Sequence, residues 1–403
     1  MKIRHILPLI TTAVLAFHSA AADTDPVSEA VASILSNNPA LKAEVSRLRS
    51  ESLAISAENL LSDPEVDFDY KIGHAGAPDK WGVTVSQAFD WPGLYSSRRR
   101  AARASEDAFG YLRRSAVMEK ALEARLLIID FVKVRRRLSL LNEVAGNVDS
   151  LLASSEKAFS HGETTILDIR KLRLQSQVLK ADIADQEAVL DGLRADITAM
   201  NGGSYINTSA LDSYPSETLL PEEEYMALYT DSDPGILGLD ASARAAAESA
   251  RAERLKRMPG FKVGYIHERE GTEDFNGFTV GVSLPVWSRK SSAALAAAQS
   301  AVAENLAADY RLTRQAALVA DYSAAKRLER RATMFEEVVN GEKSYPDLLL
   351  KAYDGGRLTL IQYLQELNWY IESRMTADDY RYRYAQALAR LNRIKHADSL
   401  LSD

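Results

Sequence analysis

Between Leu127 and Met200 the hydrophobic positions recur at alternating steps of four and three. Leu127, Phe131, Val134, Leu138, Leu141, Ala145, Val148, Leu152, Ser155 and Phe159 form a first run. After Ser160-His161-Gly162 the pattern resumes at Ile169, Leu172, Ser176, Leu179, Ile183, Gln186, Leu190, Leu193, Ile197 and Met200. Such spacing puts one side chain per turn on a single helical stripe, with the average period of a coiled coil. Glycine supplies the backbone freedom for a tight reversal. The pattern predicts a long antiparallel helical hairpin over residues 93–200 with its tip at His161-Gly162-Glu163-Thr164-Thr165. A second hairpin, 291–396, turns at Asp354-Gly355-Gly356-Arg357-Leu358-Thr359.

A different period occupies four short segments. Residues 66–74 alternate apolar and polar without a miss, and 81–91 do so with one lapse, at Gln87. Residues 261–268 are broken by Ile266 and His267, whereas the run starting at Phe278 (278–286) is clean. Alternation of period two marks strands, and these approach the ~9–11 residues that a tilted transmembrane strand needs. The apolar set would face lipid. Asp67, Asp69, Lys71, Thr84, Ser86, Thr279 and Ser283 would face a wet lumen, and Trp81, Trp91 and Trp287 would sit at the membrane interfaces. Soluble hairpins packed on a core are the competing arrangement; the leader, the tryptophans and the long flanking helices favour the membrane. Four strands cannot close a barrel, and open edges in hydrocarbon cost several kcal/mol per unpaired backbone group. Sister chains must complete it. About eight strands leave a lumen filled by side chains and about twelve or more leave a water path, so a channel made of one continuous barrel points to at least a trimer.

The chain is also duplicated. Asn38-Pro39 is matched by Asp233-Pro234, Pro64 by Pro259, and Gly82-Val-Thr-Val by Gly277-Phe-Thr-Val, each 195 residues on; Trp91 and Trp287 lie 196 apart, Gly162 and Gly356 194 apart. One constant offset implies two tandem copies of a unit. The expected division is 23–201 for the first repeat, 202–221 for a Ser-, Thr-, Gly- and Pro-rich linker, 222–396 for the second repeat and 397–403 for a tail. Each repeat reads helix, strand, strand, long helix, turn, helix. The fold class expected is mainly α, with duplicated long helical hairpins and a transmembrane β-barrel contribution.

Lys2, Arg4 and His5, the apolar run Ile6–Phe17 and Ala20-Ala21-Ala22 read as a secretory signal peptide over 1–22. The run is too short to span a bilayer as a helix. No later segment reaches spanning length; Leu126–Val132 is interrupted by Asp130. With no cysteine, disulfides, thiolate chemistry and a lipid-modified cysteine are excluded. Loss of Lys2 and Arg4 with the leader moves the formal charge from −7 to −9, which argues against nucleic acid as a partner. His74, His161, His267 and His396 show no ligand spacing, so neither a metal site nor a cofactor is expected. No nucleophile–base set or phosphate loop appears, so an enzyme has no support. Arg98-Arg99-Arg100, Arg103 and Arg289-Lys290 follow the strand pairs; they could meet anionic lipid or select permeants, with interfacial snorkelling the plainer use.

The order and duplication of Asn38-Pro39, Pro64, Val85-Ser86-Gln87-Ala88-Phe89, Leu284-Pro285-Val286, Gly162-Glu-Thr-Thr-Ile-Leu-Asp168 and Gly356-Arg-Leu-Thr-Leu-Ile-Gln362 resemble the TolC-type outer-membrane efflux proteins (outer membrane factors) over essentially the whole mature chain. That resemblance implies a homotrimeric exit duct in the bacterial outer membrane, in which the trimer completes a twelve-strand barrel and the hairpins form a long periplasmic α-barrel tunnel. It further implies a periplasmic adaptor, an inner-membrane pump and outer-membrane lipid as partners. It places a gate at the helix tips, at Gly162, Thr165, Asp168, Tyr353, Gly356, Arg357, Thr359 and Gln362. Asp168 and Tyr353 match family gate residues; the family's second-repeat arginine falls at Leu358, one place after Arg357, and its acidic partner at Gln362. Asp168 is then expected to bond Arg357 or Tyr353 in a closed tip. Type I protein secretion is the alternative cargo route, and a periplasmic adaptor, with one hairpin rather than two, the alternative class.

Overall fold

The structure, a computed structural model, describes residues 25–57, 60–74, 78–285, 290–341 and 345–396. The leader 1–22, Trp287, Arg289 and the tail 397–403 lie outside the described residues. In the first half α1 (Pro26–Asn37) and α2 (Pro39–Ala57) lead into β1 (Glu65–Lys71) and β2 (Lys80–Phe89), then α3 (Pro92–Ser160) and α4 (Ile166–Met200). The second half runs through α5 (Glu222–Ser232), α6 (Pro234–Leu255), β3 (Gly260–Glu270), β4 (Glu273–Ser283), α7 (Lys290–Gly341), α8 (Tyr345–Asp354) and α9 (Leu360–Leu391). The segment 202–221 holds neither helix nor strand.

α3 is the spine. At ~1.5 Å per residue its 69 residues span about 100 Å. α4 and α2 lie along it, and they meet end to end where the Asn38 amide donates to the Met200 carbonyl at 2.7 Å and Asn37 donates to Asn201 at 3.0 Å. In the second repeat the contact is of another kind, with Arg393, just past α9, lying 3.6 Å from Asp233 at the start of α6. The duplicated dipeptides themselves do the same work in both repeats. Asn38 and Asp233 cap their helices, accepting from Leu41 N and from Gly235 N and Ile236 N, with proline at the first helical position.

α3 buries more than the single stripe expected. Phe131, Leu141, Ala145, Val148 and Ser155 of that stripe are buried, but so are Ile128, Ile129, Val132, Leu140, Val144 and Leu151, while Phe159 is exposed. The reason is that α3 packs on α4, on α1, where Ile128 and Val132 join Val27, Val31 and Ile34, and, across the repeats, on α9. Leu140, Leu141, Val144, Val148 and Leu151 join Leu172 and Leu179 of α4 and Leu360, Tyr363, Leu367, Tyr370 and Ile371 of α9 in one cluster. Higher up the same α3–α9 seam becomes polar. Tyr382 and Gln386 donate to Asp130, Lys133 pairs with Asp379 at 2.9 Å, and Arg136 pairs with Asp378 at 2.6 Å.

The strands form one antiparallel sheet in the order β1-β2-β3-β4, so the two repeats meet at the β2–β3 ladder, Phe89 opposite Phe261. The bounds of all four strands shift from those expected, β3 running on to Glu270 and β4 stopping at Ser283. β1 stops at Lys71, β2 at Phe89, and β4 starts at Glu273 because the two-residue turn at Gly271 (φ +60°) extends the β3–β4 ladder upward.

Candidate functional site

The sheet has two chemically distinct faces. Register places Val66, Phe68, Tyr70, Trp81, Val83, Val85, Phe89, Phe261, Val263, Tyr265, Phe278, Val280 and Val282 on one side. These side chains have no core beneath them: Phe278 is 84% exposed and Val280 77%. Asp67, Asp69, Lys71, Thr84, Ser86, Thr279 and Ser283 all fall on the opposite side. Asp67, Asp69, Lys71, Thr279 and Ser283 are exposed there, Thr84 is half-buried, and Ser86 is buried. Ser86 is covered because Gly264 beside it has no side chain: a Cβ at Gly264 would come within 2.9 Å of Ser86 Cβ and 2.7 Å of Thr279 Oγ1.

The lapses in alternation have local causes. Gln87 stays on the apolar side and donates its amide to the Ser62 and Ala88 carbonyls at 2.6 and 3.0 Å. His267, also on that side, bonds Asn276 at 2.8 Å and meets Trp81 edge-on. Ile266 turns to the polar side, into the space left by Gly277. Trp81, the second residue of β2, stacks on Phe68; Trp91 follows β2 as the residue before α3 and stacks on Phe261 at 6.3 Å. Trp81 pairs with Arg269, four residues beyond Tyr265, so the upper margin of the apolar band steps down from β2 to β3.

At the far end of the hairpins both tips close by one device. Gly162 (φ +78°) and Gly356 (φ +69°) take the left-handed conformation that only glycine adopts without strain. Their amides bond the Phe159 and Tyr353 carbonyls, and the next amides, of Glu163 and Arg357, reach back to Ala158 and Ala352. This is the Schellman termination. Thr165 and Thr359 then cap α4 and α9, each bonded to the residue three places on: Asp168 Oδ2 accepts from the Thr165 hydroxyl at 2.7 Å, and Gln362 completes a capping box with Thr359. Asp168 and Gln362 are therefore equivalent cap residues. Asp168 also lies 3.6 Å from Lys171, and its charge, with that of Asp354, adds to the burial that pushes the Tyr353 phenol upward, against a Ser155 bond that opposes it. Tyr353 rests on Tyr363, their rings 5.6 Å apart.

Sequence reasoning missed a third feature, a clasp around the C-terminal end of α9. Glu217, from the linker, meets Arg125 of α3 at 2.5 Å, the Asn392 amide at 2.6 Å and His396 at 3.0 Å. Burial pushes its pKa up, but the His396 bond and the charges of His396 and Arg125, with Asn392, outweigh that and hold it at about 2. Tyr225 donates to Asn392 and Tyr229 to the Arg390 carbonyl, satisfying groups at the helix end. Beside them Asp233, fully buried, lies 3.5–3.6 Å from Arg314 and Arg393, in ion-pair range but outside hydrogen-bond geometry. Only Asp233, at its cap position, carried a signal in the sequence. Arg125 stands in an apolar run and Glu217 in a loop.

Among the described residues no group of three His, Cys, Asp or Glu could hold a metal, and no helix is long and apolar enough to cross a membrane.

A four-stranded sheet greasy on one side, open at both edges and mounted on two long hairpins is the architecture of the TolC-type outer-membrane channels, and this chain has that fold. No protein-family model matches the chain, and no curated protein sequence does. Solved structures do. A membrane protein from Pseudomonas aeruginosa superimposes with a TM-score of 0.70 at 16% identity, covering 92% of this chain and 94% of that one. The outer membrane channel CmeC of Campylobacter jejuni gives 0.72 at 14% identity, over 93% and 86%. The outer membrane channel MtrE of Neisseria gonorrhoeae, in its open state, gives 0.65 at 14%, over 92% and 89%.

Proposed function

We propose that this chain is the outer-membrane duct of an efflux system, a passive homotrimer rather than an enzyme, whose twelve strands form a barrel and whose hairpins form a periplasmic tunnel. The observation that carries this reading is the sheet. Among the described residues nothing covers its apolar side and nothing pairs with its edges, and hydrocarbon tolerates neither loops nor open edges. The stepped apolar band supports it too: a band level with the membrane requires ladder rungs inclined to the plane, as in a barrel of tilted strands. The two equivalent hairpins speak against an adaptor protein. CmeC and MtrE, which share the fold, are outer-membrane channels, and by that likeness a periplasmic adaptor and an inner-membrane pump are the partners.

The tips are the gate in this reading, with Asp168 meeting Arg357 or Tyr353, of its own chain or a neighbour, when closed. Asp168→Gln is the appropriate test, because glutamine already fills the equivalent cap position at Gln362 and so removes the charge without removing the cap. The expected result is a higher single-channel conductance in planar bilayers; conductance equal to wild type would remove Asp168 from the gate. For the function as a whole, cell fractionation should place a heat-modifiable trimer in outer membranes. A stable monomer purified without detergent would refute it.

A further inference from the structure

Where the sheet meets the helices the chain is basic, against its overall negative charge. Between Asp90 and Arg103 four arginines accompany one carboxylate, and between Glu248 and Arg257 four cations accompany two. The fold brings these segments together: α3 starts where α6 ends, and Leu255 lies beside Gly93. Two of the arginines are fixed, Arg98 by Asp90 at 3.0 Å and Arg100 by Glu248 at 2.9 Å. Arg99, Arg103, Arg251, Arg254 and Arg257 are exposed, and among the described residues none of them is held by a carboxylate. Directly above them the apolar band ends in Phe89, Trp91 and Phe261, with Met258 also exposed at 46%.

We propose that this collar is a binding surface for anionic phospholipid headgroups of the periplasmic leaflet. The inference rests on the membrane reading of the sheet. Its grounds are charge complementarity and continuity: acyl chains lying on the Val263–Phe261–Trp91 side bring their phosphates to the level of the first turns of α3 and the last turn of α6. Guanidinium groups pair with phosphate in a bidentate fashion. Among the described residues nothing comparable marks the opposite end of the sheet, where Arg269 is neutralised by Asp274 at 2.5 Å and Lys80 by Glu268 at 3.1 Å.

The test uses the full-length oligomer reconstituted in vesicles of equal parts phosphatidylglycerol and phosphatidylcholine, then extracted for native mass spectrometry. Wild type should retain phosphatidylglycerol in preference to phosphatidylcholine. The variant Arg99→Gln/Arg103→Gln/Arg251→Gln/Arg254→Gln should lose that preference, by roughly fivefold per arginine, since a basic residue beside an anionic surface gains ~1 kcal/mol. Lysine at the same positions should keep it. Heat-modifiability of each variant establishes that it has assembled. Equal retention by the glutamine variant, or no preference in wild type, overturns the proposal while leaving the duct reading intact. A shifted reversal potential with lipid retention unchanged also overturns it, by assigning the arginines to permeating ions. Failure of wild type to insert into any vesicle instead sinks the duct reading itself.

Discussion

Glu217 ties the linker to the end of α9, and its replacement gives the sharpest quantitative test. The carboxyl is four-fifths buried, and its partners hold its pKa at about 2 against an ordinary 4.5. A depression of that size, at 1.36 kcal/mol per pKa unit, corresponds to about 3 kcal/mol of clasp stability. The folded pKa is lowered, so this stability is fully present above the unfolded value and is lost as pH falls through the window from 4.5 to about 2. Glu217→Gln removes the charge and leaves Arg125, with its side chain 6% exposed, without its counterion, so the loss at neutral pH should be at least that large. The assay is amide hydrogen exchange over residues 388–396, which reports local opening. Local opening should rise on the order of 100-fold, since each ~1.4 kcal/mol is a factor of ten. The wild-type opening energy should fall below pH 4.5 while that of the variant stays flat. Protection within a few-fold of wild type at neutral pH, or an identical pH dependence, would refute the argument.

Other substitutions probe the remaining layers. Leu367→Ala empties a fully buried site shared by α9, α3 and α4 and should cost about 2–5 kcal/mol, read as earlier thermal loss of helical signal; a cost under ~1 kcal/mol would mean that the seam collapses around the gap. Gly356→Ala meets no atom within 4 Å, so only the strain of a side chain at φ +69° remains, about 1–2 kcal/mol, confined to the tip and visible as faster local exchange with unchanged global melting. Phe278→Arg and Thr279→Arg are adjacent but face opposite ways. The first should abolish the heat-modifiable oligomer, at about 2–4 kcal/mol per chain near mid-bilayer, whereas the second should assemble and narrow the conductance. Equal behaviour of the two would contradict the two-sided sheet.

Much of this molecule is local in origin and so visible along the chain. Steps of three and four fix which side of α4 is buried, and Ile169, Leu172, Ser176, Leu179, Leu190 and Ile197 are indeed its buried residues. Alternation fixes the faces of the strands, and a glycine three places before a threonine fixes each tip. The duplication follows from the spacing of its caps and turns. The tertiary structure alone decided what these stripes and faces meet. α3 buries more than one stripe because α1 and, across the repeats, α9 also pack on it, the latter an association between residues more than 200 positions apart that no local period encodes. The Glu217–Arg125–His396 clasp has the same origin, since an ion pair depends on the distance between its charges and three remote elements set that distance. Ser86 is buried for a similar reason, beside a glycine on another strand. Periodicity specifies a surface; only the folded chain specifies what covers it.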